Sequence, residues 1–239
     1  MDSYIVFHKK WNGHRNLVKF KMCIVIKDFS QISKEDFMDI FSFVTKFFTL
    51  WIFLAYVTYL YWDLYYVDVV TAYLHGSFDK KIYITIPDGI EHSESSHYSK
   101  LKRALYRLKQ AKRQWKKHLH EVLIKFGFTY IFADNCLYIK HHEGKIILLI
   151  LVYIDNMTIA GPNRYHIISF KLFLNEGFKI TDLDELKYML GVLVIKDCSK
   201  HLIYLNWMAY IQCTITCFGL KGSASVFILF VVKHDLTLS

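Results

Sequence analysis

The sequence predicts an α+β fold, on the strength of three patterns. Polar and apolar residues alternate over Leu17–Ile26, which is typical of a strand. The aliphatic run from Ile146 to Ala160, interrupted by two polar residues, indicates a β-hairpin covered on both faces. From Lys100 to Phe126, apolar residues recur every three or four positions, which predicts an amphipathic helix. The chain therefore combines pleated and helical segments around one core.

Composition narrows the class of protein. The chain has 239 residues, of which 54% are hydrophobic and 17% aromatic, so it can bury a substantial core and is not disordered. A formal net charge of +9 favours a polyanionic partner, either nucleic acid or an anionic membrane surface. Five cysteines form no CxxC pair, and this indicates a reducing compartment rather than a disulfide framework. The N-terminus has no signal-peptide apolar core.

Two uncharged segments raise the alternative of a small membrane protein. Phe47–Trp62 is shorter than the roughly 20 residues that a membrane-spanning helix needs. Leu202–Leu220 is closer to that length, but polar residues such as Asn206 and Gln212 oppose its insertion. The apolar pattern on all sides from Phe37 to Tyr61 is instead that of a buried helix in a globular protein.

Two acidic residues stand in apolar strands. Asp155 and Asn156 interrupt the predicted hairpin, and both residue types suit a two-residue turn because they tolerate positive φ. Asp68 lies near the end of the short apolar strand Leu64–Val70, where a carboxylate is costly to bury without a partner. The pair could form a metal site on rigid strands. An ordinary turn, with Asp and Asn chosen for backbone reasons, is the alternative.

The predicted helix Lys100–Phe126 is basic on its outer faces. It carries no acidic residue before Glu121, whereas a solvated helix face normally mixes charges. This favours contact with nucleic-acid phosphates. The residues that we expect to make these contacts are Lys102, Arg107, Lys109, Arg113 and Lys116.

Seven blocks in a fixed order carry a family resemblance, which extends from about Lys9 to about Leu220. The chain resembles the reverse transcriptase domain of copia-type LTR retrotransposons. The blocks are Lys27–Gln31, Phe41–Lys46, Asp68–Gly76, Ile82–Gly89, Leu105–Trp115, Tyr153–Asn156 and Asp182–Gly191.

The resemblance implies a right-hand polymerase fold over residues 9–220. Its fingers would comprise about 9–43 and 77–111, its palm about 44–76 and 112–205, and a truncated thumb would begin near 206, followed by an apolar tail at 221–239. The implied activity is RNA-directed DNA polymerisation from a primer on an RNA or DNA template, with deoxynucleoside triphosphates as substrates. We expect an intracellular protein, cytoplasmic or nuclear and not secreted. A homo- or hetero-oligomer is an expected assembly, and a membrane is not an expected partner.

The resemblance also implies roles for individual residues. Asp68 and Asp155 would be the metal ligands for two Mg²⁺ ions, and Asn156 would occupy the third catalytic position. Tyr73 corresponds to the aromatic residue that excludes a ribose 2′-hydroxyl. Gln110 corresponds to a glutamine of the nucleotide pocket.

The sequence departs from the family pattern at functional positions. Asn156 replaces the second aspartate of the hairpin, and Cys23 replaces the fingers arginine that holds the triphosphate. In the block Leu105–Trp115, Arg107 and Lys112 replace the usual Gly and Pro. These departures predict impaired catalysis in this copy. A non-catalytic nucleic-acid-binding remnant is therefore the alternative within the same family.

Overall fold

The computed structural model describes residues 1–11, 17–27, 31–32, 37, 42, 44–78, 81–90, 97–197, 200–220 and 222–223. The chain divides into two compact units, Met1–Leu186 and Lys187–Ser239. Apart from 222–223, the predicted apolar tail lies outside the described residues, as does Cys198. Four cysteines are described, and none of the four is in a disulfide: Cys23, Cys136, Cys213 and Cys217.

The first unit combines strands and helices, which confirms the predicted α+β class. Its strands are β1 Ser3–Trp11, β2 Leu17–Ile26, β3 Asp63–Val69, β4 Tyr83–Thr85, β5 Tyr98–Lys100, β6 Phe128–Ile131, β7 Asp134–His142, β8 Lys145–Tyr153, β9 Asn156–Gly161 and β10 Ile180–Glu185. Its helices are α1 Phe47–Tyr59, α2 Ala111–Lys125 and α3 Arg164–Gly177, and a short 3₁₀ helix spans Ala72–His75.

A six-stranded antiparallel sheet forms the centre of this unit, in the order β10-β3-β9-β8-β7-β6. Alternate residues of a strand point to opposite faces. Ile150 of β8 belongs to one hydrophobic cluster with Leu119 of α2 and Phe170 of α3. Its neighbours Leu149 and Leu151 are also buried, at 3% exposure each, although they lie outside that cluster. The prediction that this hairpin is covered on both faces is therefore confirmed.

Two further pairs complete the first unit: β1 pairs with β2, and β4 pairs with β5, both antiparallel. The second unit contains a three-stranded antiparallel sheet of β11 Tyr188–Met189, β12 Val192–Asp197 and β13 Leu202–Asn206. Its helix α4 spans Met208–Cys217. The segment Leu202–Leu220 is thus divided between a strand and a helix.

The predicted helix Lys100–Phe126 is wrong in its first part, since α2 begins only at Ala111. The preceding residues are held by tertiary contacts instead. Tyr106 forms a parallel bridge with Val25 of β2, and Arg107 has a φ of +69°, which is incompatible with a continuous α-helix. Ala104 and Leu108 are nonetheless buried. The apolar spacing correctly marked the inward-facing residues, but the backbone around them follows the neighbouring strand.

The predicted helix Phe37–Tyr61 is also shorter than expected, since α1 spans Phe47–Tyr59. It is not buried on all sides. Phe53 and Val57 lie on its buried face, whereas Phe48 is 73% and Tyr59 77% exposed. Uniform hydrophobicity gave no information on which face would be covered. Within the described part of the chain, no helix has the length and apolar character needed to cross a membrane.

Candidate active site

The two predicted acids meet at one end of the central sheet. Asp68 of β3 lies directly opposite Asn156 of β9 in the antiparallel register. The backbone N–H of Val69 donates a 2.8 Å hydrogen bond to the carbonyl oxygen of Asp155. Asp68 and Asp155 are both partly exposed. The strand pairing therefore brings residues that are distant in sequence to one accessible end of the sheet, at the turn between β8 and β9.

The turn before β9 differs from the prediction by one residue. Because Tyr153 pairs with Asn156, the two turn residues are Ile154 and Asp155, and the expected Asp155-Asn156 turn is wrong. Asn156 belongs to β9 through its pairing with both Tyr153 and Asp68. The positive φ of the turn, +57°, consequently falls on Ile154. A β-branched residue in the left-handed region is strained, and such strain persists only where the surroundings hold it.

Trp115 of α2 supplies one such restraint. Its indole Nε1–H donates a 2.8 Å hydrogen bond to the carbonyl oxygen of Ile154. The side chain is 1% exposed, and its ring packs against Phe178 with centroids 5.2 Å apart. The sequence analysis did not select Trp115 as a site residue, although it closes the block Leu105–Trp115. Helix α2 is thereby connected to the turn that presents Asp155.

The side chain of Asn156 faces the neighbouring acid. Its amide Nδ2–H donates a 3.0 Å hydrogen bond to Oδ1 of Asp155. Among the described residues, no three His, Cys, Asp or Glu side chains are grouped as a metal site. Mg²⁺ in nucleotide-processing sites is commonly held by one or two carboxylates together with water and substrate phosphates. Asp68 and Asp155 offer two carboxylates of this kind, and Asn156 beside them adds an amide rather than a third carboxylate.

Three tyrosines from different segments surround this edge. Burial raises the pKa of Tyr66, Tyr73 and Tyr106 to about 12 each. In all three, the negative charge of Asp155 is the next largest cause of the raised pKa. The phenols accordingly stay protonated at neutral pH and can donate hydrogen bonds.

Two of these phenols form an aromatic wall. The rings of Tyr73 and Tyr106 meet edge to face with centroids 4.9 Å apart. The Nζ of Lys21 lies 4.8 Å from the centroid of the Tyr106 ring. Cys23, two residues further along β2, lies near Tyr106 and is a lesser cause of its raised pKa. The sequence analysis missed Tyr106, although it belongs to the same block as Trp115.

Gln110 is buried and hydrogen-bonded to a residue from another segment. Its side chain is 6% exposed, and its Oε1 accepts a 3.0 Å hydrogen bond from Nε2 of Gln31. Gln31 in turn accepts a 2.9 Å hydrogen bond from the backbone N–H of Lys109. These bonds fasten the segment before α2 to residue 31.

The five predicted phosphate-binding residues do not form one stripe. Lys102 is exposed, and Arg107 is exposed with its guanidinium donating to the hydroxyl of Tyr4. Lys109 donates from Nζ to the carbonyl oxygen of Gln31 at 3.4 Å. The remaining two, Arg113 and Lys116, line a cavity beside α2.

The chain belongs to the reverse transcriptase family. Residues 2–231 match the family described as "Reverse transcriptase (RNA-dependent DNA polymerase)". The resemblance drawn from the seven sequence blocks is therefore confirmed.

Its relatives include proteins of plant retrotransposons. It is 31% identical over 222 residues to the "Retrovirus-related Pol polyprotein from transposon TNT 1-94" of Nicotiana tabacum, a match that covers 92% of this chain and 17% of that protein. It is 32% identical over 188 residues to the Pol polyprotein from transposon RE1 of Arabidopsis thaliana, covering 78% of this chain and 13% of that protein. The RE2 polyprotein of the same plant is 29% identical over 188 residues, with the same coverage of each chain. The chain thus spans only a small part of the length of these relatives.

Proposed function

We propose that this chain is an RNA-directed DNA polymerase domain of a retrotransposon whose catalytic site is impaired in this copy. The observation that carries the proposal is the pairing of Asp68 with Asn156 beside Asp155, in a chain of the reverse transcriptase family. We further assign fingers to about 9–43 and 77–111, palm to about 44–76 and 112–205, and a partial thumb from about 206.

We assign Asp68 and Asp155 as the carboxylates that hold Mg²⁺. When bound, Mg²⁺ activates the primer 3′-hydroxyl and neutralises charge on the triphosphate, and two ions share these tasks in the family's reaction. Asn156 can offer a carbonyl oxygen but no charge, and its amide N–H donates to Asp155. Two carboxylates therefore provide for two ions where three would be expected. This shortage is the physical basis for impaired catalysis.

We assign Tyr73, Tyr106 and Lys21 to the nucleotide pocket. Tyr73 would stand against the ribose 2′-hydroxyl, with its orientation held by the edge-to-face contact with Tyr106. Lys21 places an ammonium over the Tyr106 ring, on the strand where Cys23 has replaced the fingers arginine. It would supply a positive charge to the triphosphate. Gln110 remains a candidate for this pocket on the family resemblance alone.

The proposed partners are an RNA or DNA template with its primer and deoxynucleoside triphosphates. The net charge of +9 supports attraction to the phosphate backbone. We also propose a cytoplasmic or nuclear location, and assembly with a second copy or with other parts of the polyprotein.

Primer extension tests the proposal. Oligo(dT) on poly(rA) is offered to the chain as written, to Asn156→Asp, to Cys23→Arg, to the double variant, and to the double variant carrying Asp155→Ala. We expect little or no extension by the unaltered chain and measurable extension by the double variant, because Asn156→Asp restores the third carboxylate. Adding Asp155→Ala should abolish that gain. Robust extension by the unaltered chain would refute the impairment, and extension that survives Asp155→Ala would refute the metal-site assignment.

The second candidate function is non-catalytic binding of nucleic acid. The hydrogen bond from the Asn156 amide to Asp155 favours it, because it occupies one carboxylate oxygen that a metal ion would need. This function predicts salt-dependent binding of a primer–template by the unaltered chain, with no extension even by the double variant.

A further inference from the structure

A basic cavity lies between one face of α2 and the strands β6 and β7. Its volume is about 260 Å³, and four of its lining residues come from α2 at positions i, i+3, i+4 and i+7. That spacing places them on a single helix face. They are Arg113, Lys116, Lys117 and His120. Ser42, Tyr130, Asn135 and Tyr138 complete the lining, so that no acidic side chain is among the described residues that line the cavity.

Lys116 is the unusual member of this cavity. Its Nζ is shielded from solvent, and within the described part of the chain it has no hydrogen-bond acceptor other than the weak one offered by the Cys136 thiol. Burial lowers the pKa of Lys116, and the nearby Cys136 thiol and Asp134 carboxylate oppose that effect. A buried ammonium without a strong acceptor is costly, because the desolvation of the charge is not repaid.

The described acid whose charge acts on Lys116 is Asp134, and it is already engaged elsewhere. Oδ2 of Asp134 accepts a 3.0 Å hydrogen bond from the backbone N–H of Lys46, and its Oδ1 accepts a 2.9 Å bond from that of Cys136. Asp134 thus organises the turn before β7 rather than pairing with Lys116. His120 experiences the same excess of positive charge, since burial and then the charge of Lys116 lower its pKa.

A purely structural explanation accounts for part of this arrangement. The Nζ of Lys116 lies 5.0 Å from the centroid of the Tyr138 ring, within the range of a cation–π contact. His120 is also connected to Tyr138, with 3.1 Å between Nδ1 and the hydroxyl oxygen. These contacts help to fix the two side chains in place. The contacts with Tyr138 bring no negative charge to the four basic side chains that line the cavity.

We propose that this cavity binds one phosphate group bearing two negative charges. The ligand chemistry follows from the lining: lysine and arginine donors suit a compact oxyanion, and charged donors make the strongest hydrogen bonds to phosphate. The volume supports a small ligand, because it is below the 300–1,000 Å³ or so of a site for drug-sized molecules.

Two sources could present this chemistry, free inorganic phosphate and the 5′-terminal phosphate of a nucleic acid. Both carry the same group, so the lining alone does not distinguish them. This site goes beyond the proposed polymerase function. It can be tested on the chain whether or not primer extension is observed.

The experiment measures thermal stability of the chain in inorganic phosphate against chloride at matched ionic strength. A ligand that binds the folded state stabilises it in proportion to the logarithm of its concentration above Kd. We expect phosphate to raise Tm, and Lys116→Met to weaken phosphate binding at least tenfold by removing the buried ammonium. Lys117→Met, which alters the same cavity at an exposed lysine, should weaken it about threefold, since a partly solvated charge contributes less.

Lys112→Met is the matched control, because Lys112 is an exposed lysine of the same helix that does not line the cavity. It should retain the phosphate-dependent rise. If Lys116→Met does not fold, the proposal is tested by comparing the phosphate-dependent rise in Tm between Lys117→Met and Lys112→Met. An absent rise, or an equal rise in the cavity and control variants, would overturn the proposal.

A second measurement identifies the source of the phosphate, by comparing the affinity of the chain for oligo(dT) with a 5′-phosphate and with a 5′-hydroxyl. A preference for the 5′-phosphate that Lys116→Met abolishes assigns a nucleic-acid end, and equal binding of the two oligonucleotides assigns free phosphate.

Discussion

The indole of Trp115 donates a 2.8 Å hydrogen bond to the carbonyl oxygen of Ile154, the residue whose φ of +57° turns the chain into Asp155. A helix in the core therefore holds the strained turn by a single directed contact. The identity of a buried aromatic residue on α2 thus matters for the position of a candidate metal ligand.

Trp115→Phe should loosen this turn. The substitution keeps an aromatic ring in the core but removes the indole donor, leaving the Ile154 carbonyl unsatisfied at a cost of about 1–3 kcal/mol. We expect faster amide hydrogen exchange at residues 154–156 in addition to a lower free energy of unfolding. Tyr138→Phe is the control, since it removes a buried hydroxyl that contacts His120 in the same unit. Equal acceleration at 154–156 in both variants would show that Trp115 contributes only general stability.

Lys21 should determine affinity for the triphosphate. In the presence of Mg²⁺, Lys21→Met should weaken binding of a deoxynucleoside triphosphate about 3- to 10-fold, through loss of a charge-assisted phosphate contact. Lys19→Met is the matched control, because Lys19 is an exposed lysine two residues earlier in β2. Calorimetric titration of each variant makes the comparison. Equal losses for the two lysines would mean that only net charge matters.

The tyrosines around Asp155 predict how the stability of the fold changes at alkaline pH. Because the folded-state pKa of Tyr66, Tyr73 and Tyr106 is about 12 against an ordinary value of 10.0, the folded state holds these protons more tightly than the unfolded state. Their contribution to stability is therefore complete below pH 10 and is lost as pH rises through 12. Unfolding free energies measured across this interval should fall with pH.

Asp155→Asn should shift the same titration. Removing the carboxylate charge lowers the pKa of all three phenols, so tyrosinate absorbance should appear at lower pH, while burial still keeps these pKa values above 10.0. Asp88→Asn, an exposed change in the turn after β4, removes the same charge elsewhere. An identical shift in the two variants would contradict the close approach of Asp155 to these phenols.

The sequence predicted the strands at Leu17–Ile26 and Leu64–Val70 and the hairpin at Ile146–Ala160, because alternation and apolar runs directly report which faces are buried. It could not predict where α2 begins. The inward spacing of Ala104 and Leu108 is compatible with a helix, and only the bridge between Tyr106 and Val25 shows that the backbone follows β2. The face of α1 that would be covered was likewise invisible in a uniformly apolar segment.

In the candidate site, too, some residues could be predicted from the sequence and others depend on tertiary packing. Asp68 and Asp155 could be selected from sequence because carboxylates in apolar strands need an explanation, and the register places them at one edge. Tyr106 and Lys21 could not be selected in this way, since their proximity depends on how the segment before α2 packs against β2. The turn was misplaced by one residue because pairing across β9 outweighed the local preference of Asn for positive φ.

The salt dependence of nucleic-acid binding should separate the five basic residues that the sequence treated alike. Each phosphate contact contributes about one unit to the slope of log affinity against log salt. Lys102→Met should therefore reduce the slope for a primer–template by about one, because Lys102 is exposed. Lys109→Met should leave the slope unchanged. Its Nζ bonds to the Gln31 carbonyl oxygen and lies 5.1 Å from the centroid of the Phe37 ring, so it is committed within the protein. Binding curves at several salt concentrations give both slopes, and a reduction by Lys109→Met equal to that by Lys102→Met would show that the bond to Gln31 opens when nucleic acid binds.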